Sequence, residues 1–129
     1  MLDERIRAIL GDDRIADYFG MKVESAGEGS AVVSLAVDER HLNGNGVAHG
    51  GVVFSLADVA FACAVNSRGP AVSASSSINF CAPGKPGVLR ATAREISLSR
   101  KLGTYEVVVT DAAGKTVAIL TGLAYRKSE

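Results

Sequence analysis

The hydrophobic positions change period along the chain, and each change marks an element. From Leu2 to Leu10, Ile6, Ile9 and Leu10 fall on one helical face behind Asp3, Glu4 and Arg5, which predicts a short amphipathic helix ended by Gly11. A second short helical turn carries Ile15, Ala16, Tyr18 and Phe19, with Asp12 or Asp13 to cap it and Gly20 to close it. Period two then takes over. Ala31, Val33, Leu35 and Val37 alternate with Val32, Ser34, Ala36 and Asp38, as in a strand with one face more buried. Lys22 to Ala26 is its expected partner across a turn at Gly27 to Ser30.

A polar, glycine-rich loop from Glu39 to Gly50 leads into Val52 to Asn66, which holds no Pro or Gly. Val52, Leu56, Val59 and Cys63 recur at helical spacing, and Phe54, Phe61 and Val65 fill much of the rest. A helix apolar almost all round is expected to be buried. After the stop at Arg68-Gly69-Pro70 come four predicted strands: Ala71 to Cys81, Val88 to Leu98, Thr104 to Thr110 and Thr116 to Tyr125. The turns fall at Ala82 to Gly87, Arg100 to Gly103 and Asp111 to Gly114, and short turns between consecutive strands imply antiparallel neighbours. The class is therefore α+β, with one long helix on an antiparallel sheet. Ser73, Ser75 and Ser77 alternate along the first of these strands, which suggests a polar face turned to a wet cleft, another subunit or solvent.

The chain has 129 residues, a length that suits a single domain over 1–129. Its 47% hydrophobic and 22% charged residues fit a globular chain and argue against disorder. With 14 Lys+Arg against 14 Asp+Glu it lacks the basic excess of a nucleic-acid binder or a polybasic membrane anchor. No apolar stretch approaches the roughly 20 residues of a membrane span. The opening MLDERIRAIL has no apolar core of signal-peptide length, so a cytoplasmic location is expected. Cys63 and Cys81 form no CxxC pair and lie in apolar runs, which predicts two buried, reduced thiols. Two histidines without a Cys or carboxylate cluster predict no metal site.

The candidate chemistry is concentrated between His41 and Arg68. Gly50 and Gly51 precede the buried helix, where the first backbone N–H groups lack intrahelical partners and face the positive end of the helix dipole. Such an end suits an oxyanion, and equally a tight turn. Asp58 is the one charged residue between His49 and Arg68, in a setting where an unpaired carboxylate is costly. Asn43, His49 and Ser73 are polar companions that could position a water or a carbonyl. Ser55 or Ser73 with His49 and Asp58 also makes a triad on paper, but no GxSxG elbow presents the serine.

The run LNGNGVAHGGVVFSLADVAFACAVNSRG, with SINFCAPGKPG and SRKLGTYEVVV downstream, resembles the hotdog-fold acyl-CoA thioesterases, and among them the phenylacetate-degradation (PaaI-type) family. The resemblance spans nearly the whole chain and rests on HGG followed by Asp seven residues after the second glycine. It implies an antiparallel sheet wrapped around one long central helix, homo-oligomers (dimers, often paired into tetramers) and active sites shared between subunits. It implies hydrolysis of aryl-acetyl or related acyl-CoA thioesters without a cofactor. Gly51 would give the oxyanion N–H and Asp58, from the opposite protomer, the base or nucleophile. Asn43 would lie near the thioester or attacking water, His49 would shape the carbonyl site, and Ser73 would help place water. Ala62 stands where some relatives carry a Ser or Thr. Phe54 and Phe61 are candidate acyl-pocket walls, and Arg68, Lys85, Arg100 and Lys101 are candidates for the phosphates of coenzyme A. A non-catalytic acyl-CoA-binding hotdog protein is the main alternative. A hotdog dehydratase is disfavoured by the HGG–Asp58 pattern.

Overall fold

The computed structural model describes residues 4–127, so Leu2 and Asp3 of the predicted first helix lie outside the described residues. Helix α1 spans Glu4–Gly11 and α2 spans Arg14–Phe19. Asp13 caps α2 by accepting the Ala16 N–H, and Gly20 ends it in the left-handed region at φ 79°, where a glycine costs least. Strands β1 (Lys22–Gly27) and β2 (Ser30–Val37) form the predicted hairpin. On β2, Ala31, Val33, Leu35 and Val37 are all buried, as their alternation requires.

The loop after β2 is more ordered than its composition suggests. Asp38 accepts the Arg40 N–H and caps a short 3₁₀ turn, Glu39–His41. The buried His41 takes the Asp38 N–H on Nδ1 at 2.9 Å and gives its Nε2–H to the Phe19 carbonyl at 2.9 Å. That imidazole ties the end of α2 to the loop that leads into the long helix.

Helix α3 spans Gly50–Asn66, starting two residues before the predicted Val52, because both glycines take helical geometry behind the N-cap His49. Strands β3 (Ala71–Phe80), β4 (Gly87–Leu98), β5 (Leu102–Thr110) and β6 (Thr116–Arg126) follow. The sheet is antiparallel throughout, in the order β1-β2-β4-β5-β6-β3. It wraps around α3, which touches all six strands.

The expectation that strands joined by a short turn are neighbours fails for β3 and β4. β3 pairs β6 at the sheet edge, while β4 pairs β2 and β5. The link over residues 81–86 crosses three strand spacings, about 14 Å, which six extended residues span easily. It is held on the way by Cys81 N–H to the Val117 carbonyl at 2.7 Å and Ala48 N–H to the Gly84 carbonyl at 2.6 Å.

A second correction concerns the serines of β3. The register shifts between Ser73 and Ser75, so Ser73 faces the helix opposite Ala124, whereas Ser75 and Ser77 lie on the outer face opposite Leu123 and Thr121. Helix α3 also departs from full burial. Val52, Val53, Leu56, Ala57, Val59 and Ala60 are buried, each Val or Leu contributing about 1.5–3 kcal/mol of apolar burial. Gly51, Phe54, Ser55, Asp58, Ala62 and Asn66 form a half-open stripe along the same helix, because one sheet does not close around the whole circumference.

The thiols differ as well. Cys63 is buried as expected, but Cys81 is exposed, since it stands where β3 leaves the sheet edge.

Candidate active site

Asp58 sits at the middle of the open stripe of α3. Burial raises its carboxyl above the ordinary aspartate range, and the negative charge of Asp13 adds to the shift. It lines a cleft of about 220 Å³ together with Ala62, Asn66, Ala71 and Ser73. The bulge in β3 is what turns Ser73 into this cleft, so two of the predicted site residues meet there. Phe61 forms the cleft's inner wall. Its ring is buried against Gly122 and lies 5.7 Å, centroid to centroid, from Tyr105, so it serves the core more than an open pocket.

The amino end of α3 holds the other predicted residues, in two separate clefts. The Gly51 N–H donates to His49 Nδ1 at 2.9 Å, and the Val52 and Val53 N–H groups both reach the His49 carbonyl, at 2.9 and 3.1 Å. The N–H of Gly50 has no hydrogen-bond partner among the described residues. Gly51 and His49 open with Phe19, Leu42 and Val52 into a cleft of about 390 Å³. Gly50 instead shares a cleft of about 380 Å³ with Asn43, Val53, Phe80 and Cys81. The side-chain carbonyl of Asn43 accepts the Asn45 N–H at 2.8 Å and so shapes its own loop. The Ser55 hydroxyl donates to the Gly51 carbonyl at 2.7 Å, an i−4 bond that takes it out of any triad with His49.

Within one chain the amino end of α3 and the Asp58 carboxylate therefore belong to different clefts. Asp58 lies seven residues beyond Gly51 and eight beyond Gly50, about 10–12 Å along the helix.

The candidate coenzyme A residues also separate. Arg100 and Lys101 line one cleft, joined by Arg126 and Lys127, which no motif or spacing in the chain singles out. Arg68 is paired to Glu95 at 3.0 Å, and Lys85 lies in a different cleft with Pro86 and Asp111.

An antiparallel six-stranded sheet wrapped around one long helix defines a hotdog domain. The thioesterase superfamily model matches residues 45–118, which run from the glycine-rich loop through Asp58 to the last strand. The acyl-coenzyme A thioesterase PaaI of Escherichia coli is 38% identical over 125 residues, covering 95% of this chain and 89% of that protein. The structure of the Escherichia coli PaaI protein from the phenylacetic acid degradation operon superimposes with a TM-score of 0.92 at 38% identity, over 97% of this chain and 92% of that one. A mutant of the phenylacetic acid degradation protein PaaI from Thermus thermophilus gives 0.86 at 42% identity, over 89% of this chain and all of that one. The chain belongs to the thioesterase superfamily and is a thioester hydrolase of the hotdog fold.

Proposed function

We propose that the protein hydrolyses acyl-CoA thioesters, of aryl-acetyl or related acids, at a site built by two subunits. The observation that carries this reading is Asp58: a lone carboxylate on an otherwise apolar helix, shifted upward by burial, in a thioesterase chain. The similarity to PaaI proteins supports the acyl-CoA substrate class.

Attack on the thioester carbonyl puts negative charge on its oxygen. A backbone N–H held at a helix start stabilises that charge, and losing one such donor costs about 10²–10³ in rate. Both glycines are candidates, and the geometry favours Gly50, whose N–H is unengaged while His49 caps that of Gly51. His49 then acts by fixing the first turn, and Asn43 borders the same cleft as Gly50. Asp58 either takes a proton from water as the water oxygen bonds to carbon, or attacks the carbon itself to give a mixed anhydride that water opens. Both routes expel the CoA thiolate and release the acid. Ser73, which lines the same cleft as Asp58, is the residue that would hold the water.

A carbonyl carbon has to lie within about 3 Å of its attacker and close to its oxyanion donor. The separation of about 10–12 Å on one helix forbids this within a chain. A second helix, start against middle, supplies it. The half-open stripe of α3 and the β3 edge, with Val72 and Phe80 exposed, are surfaces available for such pairing. We therefore assign the protein as at least a dimer, with tetramers of paired dimers open to it.

The test is a panel of phenylacetyl-, hydroxyphenylacetyl-, benzoyl- and straight-chain acyl-CoAs against the wild type and Asp58→Asn. Turnover of at least one substrate, reduced about 10²–10⁴-fold in the folded variant, is expected. Tight binding of these CoA esters without turnover would instead identify a non-catalytic acyl-CoA-binding protein.

A further inference from the structure

Of the two histidines in the chain, His49 caps α3, while His41 has no part in the proposed reaction and yet is the buried one, 1% exposed. A buried imidazole has to satisfy both of its ring nitrogens. Nδ1 lies 2.9 Å from the Asp38 backbone N–H, which can only donate, and Nε2 lies 2.9 Å from the Phe19 carbonyl, which can only accept. The two contacts admit one form of the ring: neutral, with its proton on Nε2. The exposed Asp38 carboxylate, 3.3 Å from Nδ1, accepts the Arg40 N–H instead. The Phe19 ring stands edge-on to the imidazole at 5.8 Å.

The backbone of the same residue reaches the start of α3. The His41 carbonyl accepts the His49 N–H at 2.8 Å and closes the base of the loop over 42–48. Inside that closure Leu42 bridges Ala48, and the Asn43 N–H reaches the Val47 carbonyl at 2.8 Å. On its other side, His49 offers its carbonyl to the Val52 and Val53 N–H groups. That carbonyl and the Gly50 N–H belong to one planar trans peptide, so they point in opposite directions. With the carbonyl turned into the helix, the N–H is turned out of it. Two bonds hold the chain as it enters this plane: Ala48 N–H to the Gly84 carbonyl at 2.6 Å and, nearer, His49 N–H to His41.

We infer that His41 is a positioning residue for thioester hydrolysis: its neutral imidazole, bonded between Asp38 and Phe19, steadies through its own carbonyl the peptide that presents the Gly50 N–H. This rests on the acyl-CoA reading and deepens it. The two ring bonds fix the 3₁₀ turn Glu39–His41 against the end of α2, and that turn carries the carbonyl that holds His49. An N–H that stabilises an oxyanion works by being aimed beforehand. Loosening its support therefore raises the barrier without altering how the substrate is gripped.

The test begins with His41→Phe, which keeps a ring beside Phe19 and removes both hydrogen bonds. Arg40 still reaches the Tyr18 and Phe19 carbonyls, each at 3.3 Å, so α2 stays anchored and the variant is expected to fold. For any acyl-CoA the enzyme turns over, kcat should fall about tenfold or more with KM little changed, a part of the roughly 10²–10³ that a whole donor is worth. His41→Asn, whose side-chain oxygen can take the Asp38 N–H in place of Nδ1, should recover much of that loss. In a Gly50→Pro background, where the N–H is gone, His41→Phe should cost little more, because its effect runs through that N–H. Hydrogen exchange reads the same support without turnover. The Gly51, Val52 and Val53 amides should exchange about tenfold faster in His41→Phe, while amides in the last turns of α3 hold. Wild-type kcat in folded His41→Phe, a full multiplicative loss on top of Gly50→Pro, or unchanged exchange at the three amides would overturn the assignment. If His41→Phe does not fold, His41→Asn goes through the same cycle and decides. A wild type that hydrolyses no acyl-CoA refutes the acyl-CoA reading alone, and the exchange measurement then decides for or against His41.

Discussion

The N–H of Gly51 donates to Nδ1 of His49 at 2.9 Å, and this single capping bond sets the two glycines apart. Gly51 completes the helix start, and the N–H of Gly50 has no hydrogen-bond partner among the described residues, which makes it the donor in the proposed reaction. Gly50→Pro is the clean probe, because proline is favoured at the first helical position and His49, at φ −58° and ψ 137°, already has the backbone that precedes a proline. A Cβ at Gly50 meets only the Phe80 ring, at 3.5 Å. The variant is expected to fold and to lose about 10²–10³ in kcat. Gly51→Ala, which keeps its N–H, should lose far less. Comparable kcat for Gly50→Pro and wild type would return the donor role to Gly51.

The burial that raises the Asp58 carboxyl has consequences for both rate and stability. The ionised form is the active one in either route, so kcat/KM should fall on the acid limb at a pH above that of an ordinary aspartate, near 3.9. The native state holds this proton more tightly than the unfolded chain, so the ionised group opposes folding above its native pKa and ceases to do so below the unfolded value. Asp58→Asn should therefore melt at a higher temperature than the wild type near neutral pH, with the gain vanishing as the pH falls below the unfolded pKa. A lower melting temperature for the variant at neutral pH would show the carboxylate to be structural.

The two thiols should separate cleanly. Burial pushes Cys63 up to about 11, with Asp13 adding to the shift, so almost no thiolate exists at neutral pH. Cys81 is exposed beside the Gly50 cleft. Ellman titration is expected to find one reactive thiol in the native protein and two in denaturant. Two rapid equivalents in the native protein would contradict the packing around Cys63.

Gly122 is a packing requirement. A Cβ there would stand 2.6 Å from the Phe61 ring, which is itself fully buried. Gly122→Ala should cost about 1–3 kcal/mol by overpacking, measured by denaturant unfolding, and Phe61→Leu in the same chain should recover part of it. No loss in the single variant would show that the ring has room to move.

Much of this was legible in the sequence because it rests on local pattern. The alternation on β2, the glycine that ends α2 and the apolar repeat of α3 each specify their own element. Asp58 stood out for the same reason, as a charge in an apolar run. What escaped depends on neighbours distant in sequence. The Ser73/Ser75 bulge is set by pairing with β6, and without it all three serines would share a face. The β3–β4 link betrays nothing of its crossing, since its composition is that of any turn. The cap of Gly51 depends on which way an imidazole turns, and Arg126 and Lys127 meet Arg100 and Lys101 only because β6 runs back beside β5.

The central claim is that one site takes its glycine N–H from one subunit and Asp58 from the other. Subunit mixing tests it most directly. Asp58→Asn chains, differently tagged from Gly50→Pro chains, are combined, allowed to exchange, and the mixed dimers purified. Each parent should be nearly inactive. The mixed dimer pairs one intact Gly50 with one intact Asp58 across the interface, so about half the wild-type activity per dimer is expected to return. Purified mixed dimers as inactive as their parents would contradict a shared site.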